Sequence, residues 1–378
     1  MKRILFIVDD LGKGGAEKIT LEVAHTLAKN EHLVTLAVLN SGKNTLIVDS
    51  SIEYIDLNIN PKFAFGKLWK FKELSKREQE TVSLLINEKN FDLIILGFHN
   101  GYYLGNYLTQ KNNIWYWIHG DLLEFRKFNN PLKQIKEHIR FFKNKRKFSK
   151  LFRNRNLITV NRDLESKAKT YAQPNSTVTI ANGVKLPKHL INQYHSTQKK
   201  WDVIYVGRLV PIKQVDHAIK AFSMSNLTGK MAIVGDGSER QKLETLTQEL
   251  KISDRVDFLG WVDEPHILML QSKCLIMSSL YEGSPVTLAE AIDLGVPIIS
   301  YNSSAGISDL FTIDTAKFGL VPKQNIQALS LALEKCVQKP YTYSKICVNK
   351  VCMQNMQEKF LNLCDLDSQI KCDRDSFR

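Results

Sequence analysis

The chain has 378 residues, 43% of them hydrophobic and 24% charged, and its formal net charge is +13. This length favours two domains of ordinary size with real cores, and nothing in the composition indicates disorder. No apolar run reaches the roughly 18 residues of a membrane span. The six scattered cysteines contain no CxxC pair, so we expect free thiols and no zinc site.

The N-terminus reads Met1-Lys-Arg, followed by five apolar residues and then Asp9-Asp10. The apolar run is too short for the h-region of a signal peptide, so it predicts a first strand at residues 3–8. Without a secretion signal, the chain is expected to stay in the cytoplasm.

Strand-like and helical patterns alternate along the first half of the chain. Helices are predicted at 15–29 and 72–89, and strands at 32–39, 93–96, 114–118, 157–160 and 178–181. This βα repeat implies a parallel sheet with helices on both faces. A polar stretch from about Lys185 to Trp201 predicts a linker.

A basic segment at residues 126–155 holds twelve Lys or Arg and one acid, Glu137, which amounts to +11 of the total +13. Asn130 and Pro131 predict the start of a helix. The apolar residues that recur at helical spacing are Leu132, Ile135, Ile139 and Phe142. A basic amphipathic helix first indicates contact with anionic membrane lipid. Two other interpretations are a solvated helix that packs its stripe on its own domain, and binding of nucleic acid, which we do not expect.

The βα pattern restarts at Val203 and continues with predicted strands at 231–234, 256–259, 275–278 and 297–300, and the last forty residues are predicted to be helical. We therefore predict an N-terminal domain at 1–190, a C-terminal domain at 191–345 and a C-terminal helical segment at 346–378. The fold class is α/β, with two doubly wound domains facing a central cleft. In such sheets ligands bind beyond the carboxyl ends of the strands.

The segment Glu282-Gly-Ser-Pro-Val-Thr-Leu-Ala-Glu290 places two carboxylates on either side of a predicted helix start. Ser284 is predicted as the N-cap and Pro285 as the first helical residue. The free amides near Val286 and Thr287 would then form an anion site. This arrangement suits a sugar nucleotide, with one carboxylate for the sugar, amides for the diphosphate and one carboxylate for the ribose.

Four other segments follow apolar runs in the same way. They are Asp9-Asp-Leu-Gly-Lys-Gly14-Gly15-Ala-Glu17, Val206-Gly207-Arg208-Leu-Val-Pro-Ile-Lys213, Ile233-Val-Gly235-Asp236-Gly237 and Val256-Asp-Phe-Leu-Gly260. Together with the Glu282 to Glu290 motif, this set resembles the family 4 retaining glycosyltransferases of the GT-B fold. The resemblance covers nearly the whole chain and is densest between Val203 and Ser300.

The resemblance implies roles for the charged residues of these segments. An Arg and a Lys at the positions of Arg208 and Lys213 hold the donor diphosphate, where fixed cations neutralise charge on the leaving oxygen. Glu282 would hold the hydroxyls of the donor sugar, and Glu290 those of the ribose. A histidine at the position of His119 contacts the donor sugar.

The resemblance also assigns the glycines. Gly14 and Gly15 would face the donor phosphates, because glycines let backbone amides approach a ligand. Gly235 would lie near the nucleotide base, and Gly283 and Ser284 would join the donor site. Ser284 departs from the family, which usually has an aromatic residue there. The Gly14-Gly15 pair misses the G-x-G-x-x-G fingerprint of dehydrogenases. No D-x-D motif lies in a plausible place, so no essential metal or cofactor is expected.

The implied function is transfer of a sugar, with retention of anomeric configuration, from a nucleoside diphosphate sugar. UDP-sugars are the favoured donors, and a lipid-linked, lipopolysaccharide or polysaccharide acceptor would bind the first domain at the inner face of the plasma membrane. One alternative is a GT-B nucleotide-sugar epimerase, although its acid and base carboxylates are not found. Another is a non-catalytic glycan- or nucleotide-binding subunit of a synthase pair.

Overall fold

The computed structural model describes residues 1–12, 14–70, 73–108, 113–186, 198–311, 317–342 and 345–375. The chain forms two compact units. Unit 1 comprises Met1–Ala181 and Met356–Arg378, and unit 2 comprises Asn182–Asn355. Most of the predicted linker, residues 187–197, lies outside the described residues.

Unit 1 is built on a seven-stranded sheet in the order β3-β2-β1-β4-β5-β6-β7, in which every neighbouring pair is parallel. Its strands are β1 (Arg3–Val8), β2 (Leu33–Val38), β3 (Glu53–Asp56), β4 (Leu93–Gly97), β5 (Ile114–Ile118), β6 (Asn156–Thr159) and β7 (Ser176–Thr179). Its helices before the second unit are α1 (Gly15–Lys29), α2 (Pro61–Ala64), α3 (Lys76–Lys89), α4 (Pro131–Phe152) and α5 (Arg162–Ala172).

Local sequence explains these elements. Strands β1, β4 and β5 are continuous apolar runs that are buried on both faces, as expected for central parallel strands. Helix α3 begins with a capping box between Ser75 and Glu78, and α4 begins at Asn130, whose side chain accepts a hydrogen bond from the Lys133 amide. The predicted start of α4 is therefore confirmed.

Unit 2 is built on a six-stranded parallel sheet in the order β10-β9-β8-β11-β12-β13. Its strands are β8 (Trp201–Val206), β9 (Met231–Val234), β10 (Val256–Gly260), β11 (Ser272–Met277), β12 (Ile298–Tyr301) and β13 (Leu320–Val321). Its helices are α6 (Val215–Met224), α7 (Arg240–Glu249), α8 (His266–Leu270), α9 (Val286–Asp293), α10 (Ala305–Ser308), α11 (Ile326–Gln338) and α12 (Lys345–Val351).

The last helix, α13 (Met353–Asp375), starts in unit 2 and continues in unit 1. Within unit 1, its Phe360 packs edge-on against Trp117 and Phe6, with ring centroids 5.0 and 6.1 Å apart. The Asn113 amide also donates a hydrogen bond to the Leu363 carbonyl. The C-terminal helix is thus part of the core of unit 1.

The prediction of two parallel-sheet α/β domains is confirmed, with local corrections. Strand β7 covers Ser176–Thr179, two residues earlier than predicted. It is a half-buried strand, so its polar residues Ser176 and Thr177 pair with β6 although they carry no apolar signal. Trp201 begins strand β8 rather than ending a linker. The short strands β3 and β13 were not predicted.

Candidate active site

The candidate site lies where the strand order of unit 2 reverses. From the central strand β8 the chain builds β9 and β10 on one side, and it then returns to place β11 on the other side of β8. The loops that leave the carboxyl ends of β8 and β11 therefore diverge, which leaves a crevice of the kind that binds ligands in open α/β sheets. Lys213 follows β8, and Glu282 follows β11.

Lys213 and Glu282 form an ion pair, with Lys213 Nζ 2.6 Å from Glu282 Oε1. The same carboxylate oxygen accepts a 2.6 Å hydrogen bond from the hydroxyl of Ser279, which is fully buried. Charge-assisted hydrogen bonds of this length are strong and fix the carboxylate. The structure thus brings Lys213, predicted to hold the diphosphate, into contact with Glu282, predicted to hold the donor sugar.

Ser278 ties the two loops to each other. Its hydroxyl donates to the carbonyls of Gln214, at 2.7 Å, and of Lys213, at 3.2 Å. The Leu280 amide donates to the Ile212 carbonyl at 2.9 Å. These bonds fix the backbone on both sides of the ion pair, so its geometry depends on the loops rather than on flexible side chains alone.

The start of α9 differs from the prediction. Ser284 is not the N-cap: Pro285 takes that position without a side-chain bond, and Val286 is the first helical residue. The Ser284 hydroxyl instead accepts a 2.9 Å hydrogen bond from the Asn182 amide, and its carbonyl accepts one from the Asn182 side chain. Ser284 does not cap the helix because its hydroxyl instead bonds to Asn182, 102 positions earlier in the chain.

The corrected helix start still leaves two backbone amides open. Leu288 and Ala289 donate their amides to the Pro285 carbonyl. The amides of Val286 and Thr287 donate to no acceptor among the described residues. They are the two donors that a helix leaves open at its N-terminus, where the dipole also favours negative charge. Gly283, which was predicted in the same site, lies in the loop before this turn.

Glu290 is the fifth residue of α9, and it is buried. Its Oε1 lies 3.3 Å from Nε2 of His266, the first residue of α8, which is buried as well. The two atoms are within ion-pair distance but are not aligned as a hydrogen bond, so Nε2 of His266 has no hydrogen-bond partner among the described residues.

Arg208 is exposed, two residues after β8. The adjacent loops pack so closely that glycine is required. A Cβ on Gly235 would lie 2.0 Å from the Gly207 carbonyl oxygen, and Gly235 has a φ of +134°. Hydrogen bonds of 2.9 Å from the Gly207 amide to the Val234 carbonyl and from the Leu209 amide to the Asp236 carbonyl hold the two loops together. The approach of backbone to backbone therefore explains Gly235.

Gly14 and Gly15 lie in unit 1, at the start of α1. Gly14 is its N-cap and makes no side-chain cap, and Gly15 is its first residue. A Cβ on Gly15 would meet nothing within 4 Å, whereas one on Gly14 would lie 1.9 Å from a carboxylate oxygen of Glu17. Asp9, in the same loop region, is engaged: its carboxylate accepts hydrogen bonds from the amide and side chain of Asn100 and from the Gly101 amide.

His119 follows β5 in unit 1. Its ring packs on Trp117, with centroids 4.1 Å apart, and stacks on Phe98 at 5.5 Å. Phe98 holds a left-handed backbone with a φ of +59°. Neither ring nitrogen of His119 has a hydrogen-bond partner among the described residues. Burial, with the nearby charge of His99, lowers the pKa of His119 to about 3, so its imidazole is neutral at pH 7.

The basic segment forms α4, and its apolar stripe is exposed. Leu132, Ile135, Ile139 and Phe142 are 70%, 57%, 51% and 54% exposed. The buried residues of the helix are instead Glu137, Phe148, Leu151 and Phe152. Ile139 and Phe148 are nine residues apart, so at about 100° per residue they lie on opposite faces. Helix α4 therefore has two apolar faces, of which only one packs on its own unit.

The single acid of this segment is withdrawn from the surface. Glu137 is buried, accepts hydrogen bonds from the Arg140 guanidinium and receives the Arg126 amide at 2.8 Å. The hydrogen bonds from Arg140 lower the pKa of Glu137 below its usual value. Because Glu137 is buried and paired, the exposed charged side chains of the segment are all positive.

Part of the chain matches a known protein family. Residues 188–350 match the model of the glycosyl transferases group 1 family. The match covers β8 to α12, with both loops of the ion pair and the start of α9. The prediction of a glycosyltransferase enzyme is confirmed.

Relatives of the chain carry similar names. An uncharacterized glycosyltransferase of Haemophilus influenzae is 24% identical over 354 residues, which cover 91% of this chain and 92% of that protein. A Campylobacter jejuni protein, GalNAc-alpha-(1->4)-GalNAc-alpha-(1->3)-diNAcBac-PP-undecaprenol alpha-1,4-N-acetyl-D-galactosaminyltransferase, is 27% identical over 82% of both chains. The Escherichia coli lipopolysaccharide 1,6-galactosyltransferase is 34% identical, but the match covers only 29% of this chain and 33% of that protein.

Solved structures show the same fold. The apo form of the lipopolysaccharide outer core galactosyltransferase WaaB superposes with a TM-score of 0.67 at 19% identity, over 97% of this chain and 99% of its own. Anabaena Alr3699/HepE in complex with UDP-glucose gives a TM-score of 0.66 at 16% identity, over 96% and 99%. The fold of the chain is therefore GT-B. Within the described residues, no helix is both long and apolar enough to cross a membrane.

Three residues of the site were not predicted from the sequence. Ser278 and Ser279 stand just before Glu282, and the Ser-Ser pair at the end of an apolar run was a usable signal. His266 stands 24 positions before Glu290 and in another helix, so no local pattern connects the two residues. Their proximity follows only from the packing of α8 against α9.

Proposed function

We propose that the chain is a retaining glycosyltransferase of the family 4 type, which moves a sugar from a nucleoside diphosphate sugar to a glycan acceptor. The observation that carries this proposal is the contact of Lys213 with Glu282 at the switch point of unit 2, beside the open amides of α9. A cation, two free backbone donors and two carboxylates are the groups that a sugar nucleotide needs.

Each group has a distinct task in this proposal. Arg208, Lys213 and the amides of Val286 and Thr287 stabilise the diphosphate as it leaves, because charge grows on its bridging oxygen. Glu290 accepts hydrogen bonds from the ribose hydroxyls. Glu282 binds the hydroxyls of the donor sugar through Oε2, while Oε1 is held by Lys213 and Ser279.

The reaction is a front-face substitution. The bond between the anomeric carbon and the phosphate oxygen breaks, and the acceptor oxygen bonds to the same face of that carbon. The acceptor proton passes to the leaving phosphate oxygen, so protein groups position the reactants and stabilise charge. Retention follows because the entering and leaving groups share one face.

We propose a UDP-sugar as donor and a lipid-linked glycan or surface polysaccharide as acceptor, bound by unit 1. HepE, of the same fold, was solved with UDP-glucose. The Campylobacter relative is named for an undecaprenol-linked acceptor, and the partial relative in Escherichia coli for lipopolysaccharide. In unit 1 the neutral imidazole of His119 and the open surroundings of Gly15 support a donor-sugar and phosphate contact.

A thermal-shift panel tests the donor assignment. The purified chain is heated with UDP-, GDP-, ADP- and dTDP-sugars, and we expect UDP-sugars to raise its melting temperature. A ligand present at about 100 times its Kd adds about 2.7 kcal/mol of stability. The matched control is Arg208→Ala, which should fold normally and lose the shift. No shift with any nucleotide sugar would contradict the proposal.

We further propose that α4 rests on anionic lipid at the cytoplasmic face of the plasma membrane. The support is a helix that turns four apolar side chains to solvent, exposes Lys136, Lys143 and Lys150, and buries its one acid. Apolar side chains of this kind sink into the headgroup region, and each nearby lysine adds about 1 kcal/mol on an anionic surface. The acceptor would then be presented to unit 1 at that surface.

Flotation with vesicles tests this contact. Lys136→Gln/Lys143→Gln/Lys150→Gln should weaken binding to vesicles that contain phosphatidylglycerol by about 100-fold at low salt, from about 3 kcal/mol of lost attraction. The control, Lys251→Gln/Lys323→Gln/Lys339→Gln, removes the same charge from exposed sites of unit 2 and should bind as the unmodified protein does. Equal loss in both triple variants would show that net charge, not α4, attracts the chain.

A further inference from the structure

His266 lies against the carboxylate that we assign to the ribose. Its Nε2 is 3.3 Å from Glu290 Oε1, and the side chains of both residues are less than a tenth exposed. The ring nitrogen is buried and has no hydrogen-bond partner among the described residues. Buried polar atoms of this kind are rare and call for a physical explanation.

Hydrogen-bond donors around a buried carboxylate stabilise its charge and fix its orientation. The Nε2–H group of His266 is such a donor.

The position of His266 in the chain adds a second link. It stands six residues after Gly260, the end of β10, and begins the next helix, α8. The Gly260 carbonyl accepts a 2.7 Å hydrogen bond from the Gly235 amide. The segment from Gly260 to His266 thus begins beside Gly235 and ends beside the Glu290 carboxylate of α9.

We propose that His266 is a positioning residue for the ribose site: it holds Oε1 of Glu290, so that the carboxylate presents a fixed face to the ribose hydroxyls. This proposal rests on the proposed function, since it needs Glu290 to bind ribose. It predicts that His266 sets how strongly the enzyme prefers a ribonucleotide to the matching deoxyribonucleotide.

The experiment compares UDP with 2′-deoxy-UDP by calorimetry on the full chain. The measured quantity is the Kd of 2′-deoxy-UDP divided by the Kd of UDP, called the ratio below. His266→Leu should lower this ratio about tenfold, because a hydrogen bond to a charged group is lost. His266→Gln keeps an N–H in nearly the same place and should stay within about twofold of the unmodified protein. Glu290→Gln should lower the ratio at least as much as His266→Leu.

The double variant and a stability control make the result specific. His266→Leu/Glu290→Gln should show no further loss beyond Glu290→Gln alone, because the histidine acts through the carboxylate. Thr247→Val alters a buried residue of α7 whose hydroxyl bonds only within its own helix region. It should change the melting temperature without changing the ratio, so that a general loss of packing can be recognised.

The outcomes separate the two proposals. If Glu290→Gln lowers the ratio and His266→Leu leaves it unchanged, the role of His266 is wrong and the ribose site stands. If His266→Gln lowers the ratio as much as His266→Leu does, His266 does not act as a hydrogen-bond donor to Glu290. If the unmodified protein binds no UDP, or Glu290→Gln keeps the full ratio, the assignment of the ribose site fails and the role of His266 fails with it.

Discussion

Lys213 and Glu282 stand 69 positions apart in the chain and meet across a strand-order reversal. Both side chains are largely buried, at 20% and 11% exposure. A pair of this kind is sensitive to the loss of one partner, because the remaining charge is left buried. Arg208, by contrast, is exposed and forms no ion pair within the described residues. Lys213 and Arg208, the two cations of the proposed site, thus differ in how much their removal should destabilise the folded protein.

Removal of either cation should reduce sugar transfer by about 100-fold, because each stabilises charge that develops on the leaving diphosphate. Only Lys213→Ala should also lower the melting temperature, since it leaves the Glu282 carboxylate without its cation. Turnover assays and thermal denaturation of both variants measure this difference. Near-normal turnover in both would eliminate the proposed phosphate site.

Substitutions of Glu282 and Glu290 should weaken the binding of different ligands. Glu290→Gln should weaken binding of free UDP, because that ligand contains the ribose. Glu282→Gln should leave free UDP binding nearly unchanged and weaken binding of the UDP-sugar. Calorimetry with both ligands on both variants tests the assignment, and equal losses on free UDP would show that the roles are wrongly divided.

His119 should stay neutral over the whole physiological range. Its pKa is lowered to about 3 by burial, whereas an unfolded histidine titrates near 6.5. The folded state therefore binds fewer protons between these values. The contribution of neutral His119 to stability is complete above pH 6.5 and is lost as the pH falls toward 3.

This behaviour can be measured by NMR. The ring signal of His119, identified by its absence in His119→Gln, should not shift between pH 8 and pH 5. The same residue in urea-unfolded protein should titrate near pH 6.5. A midpoint between pH 6 and 7 in the folded protein would contradict the burial of a neutral imidazole.

At the scale of elements, α4 has one face that packs in unit 1 and one that is exposed to solvent. Its second half buries Phe148, Leu151 and Phe152, and Phe152 packs on the rings of Tyr102 and Tyr116. Its first half presents the apolar stripe to solvent. One helix thus anchors itself in unit 1 and leaves an apolar and cationic face unused by the fold.

Substitutions on the two faces should have opposite effects. Phe152→Ala should cost about 3–5 kcal/mol of stability, because it opens a cavity among packed rings. Ile139→Ser should leave stability nearly unchanged and should weaken vesicle binding even at high salt, since apolar burial is not screened. Thermal denaturation and flotation measure the two effects. A large loss of stability in Ile139→Ser would mean that the stripe packs within the protein.

Sequence patterns predicted most helices and strands, but not the tertiary contacts that their residues make. Apolar runs such as β4 and β5 were placed within a residue, because buried parallel strands are continuous apolar segments. The cap assigned to Ser284 was wrong, since Asn182 takes its hydroxyl from far away in the chain. The spacing of the α4 stripe was predicted correctly, but the side on which the core lies is decided by tertiary packing.

At the scale of the whole molecule, the two units repeat one design. Each sheet is parallel and reverses its strand order next to its first strand, β1 in unit 1 and β8 in unit 2. The sequence motifs all follow strands, so their placement at carboxyl ends could be predicted. The pairings of Lys213 with Glu282 and of His266 with Glu290 could not, because each pair joins residues from different loops or helices.

The most direct test of the account is an NMR assay of the reaction itself. The purified full chain is mixed with a UDP-sugar of α configuration and an undecaprenol-linked or lipopolysaccharide-derived acceptor, and the anomeric signals are followed. The account predicts release of one UDP for each new α-glycoside, with the rate about 100-fold lower in Lys213→Ala. A β-glycoside, or conversion of the donor into another UDP-sugar without transfer, would contradict it.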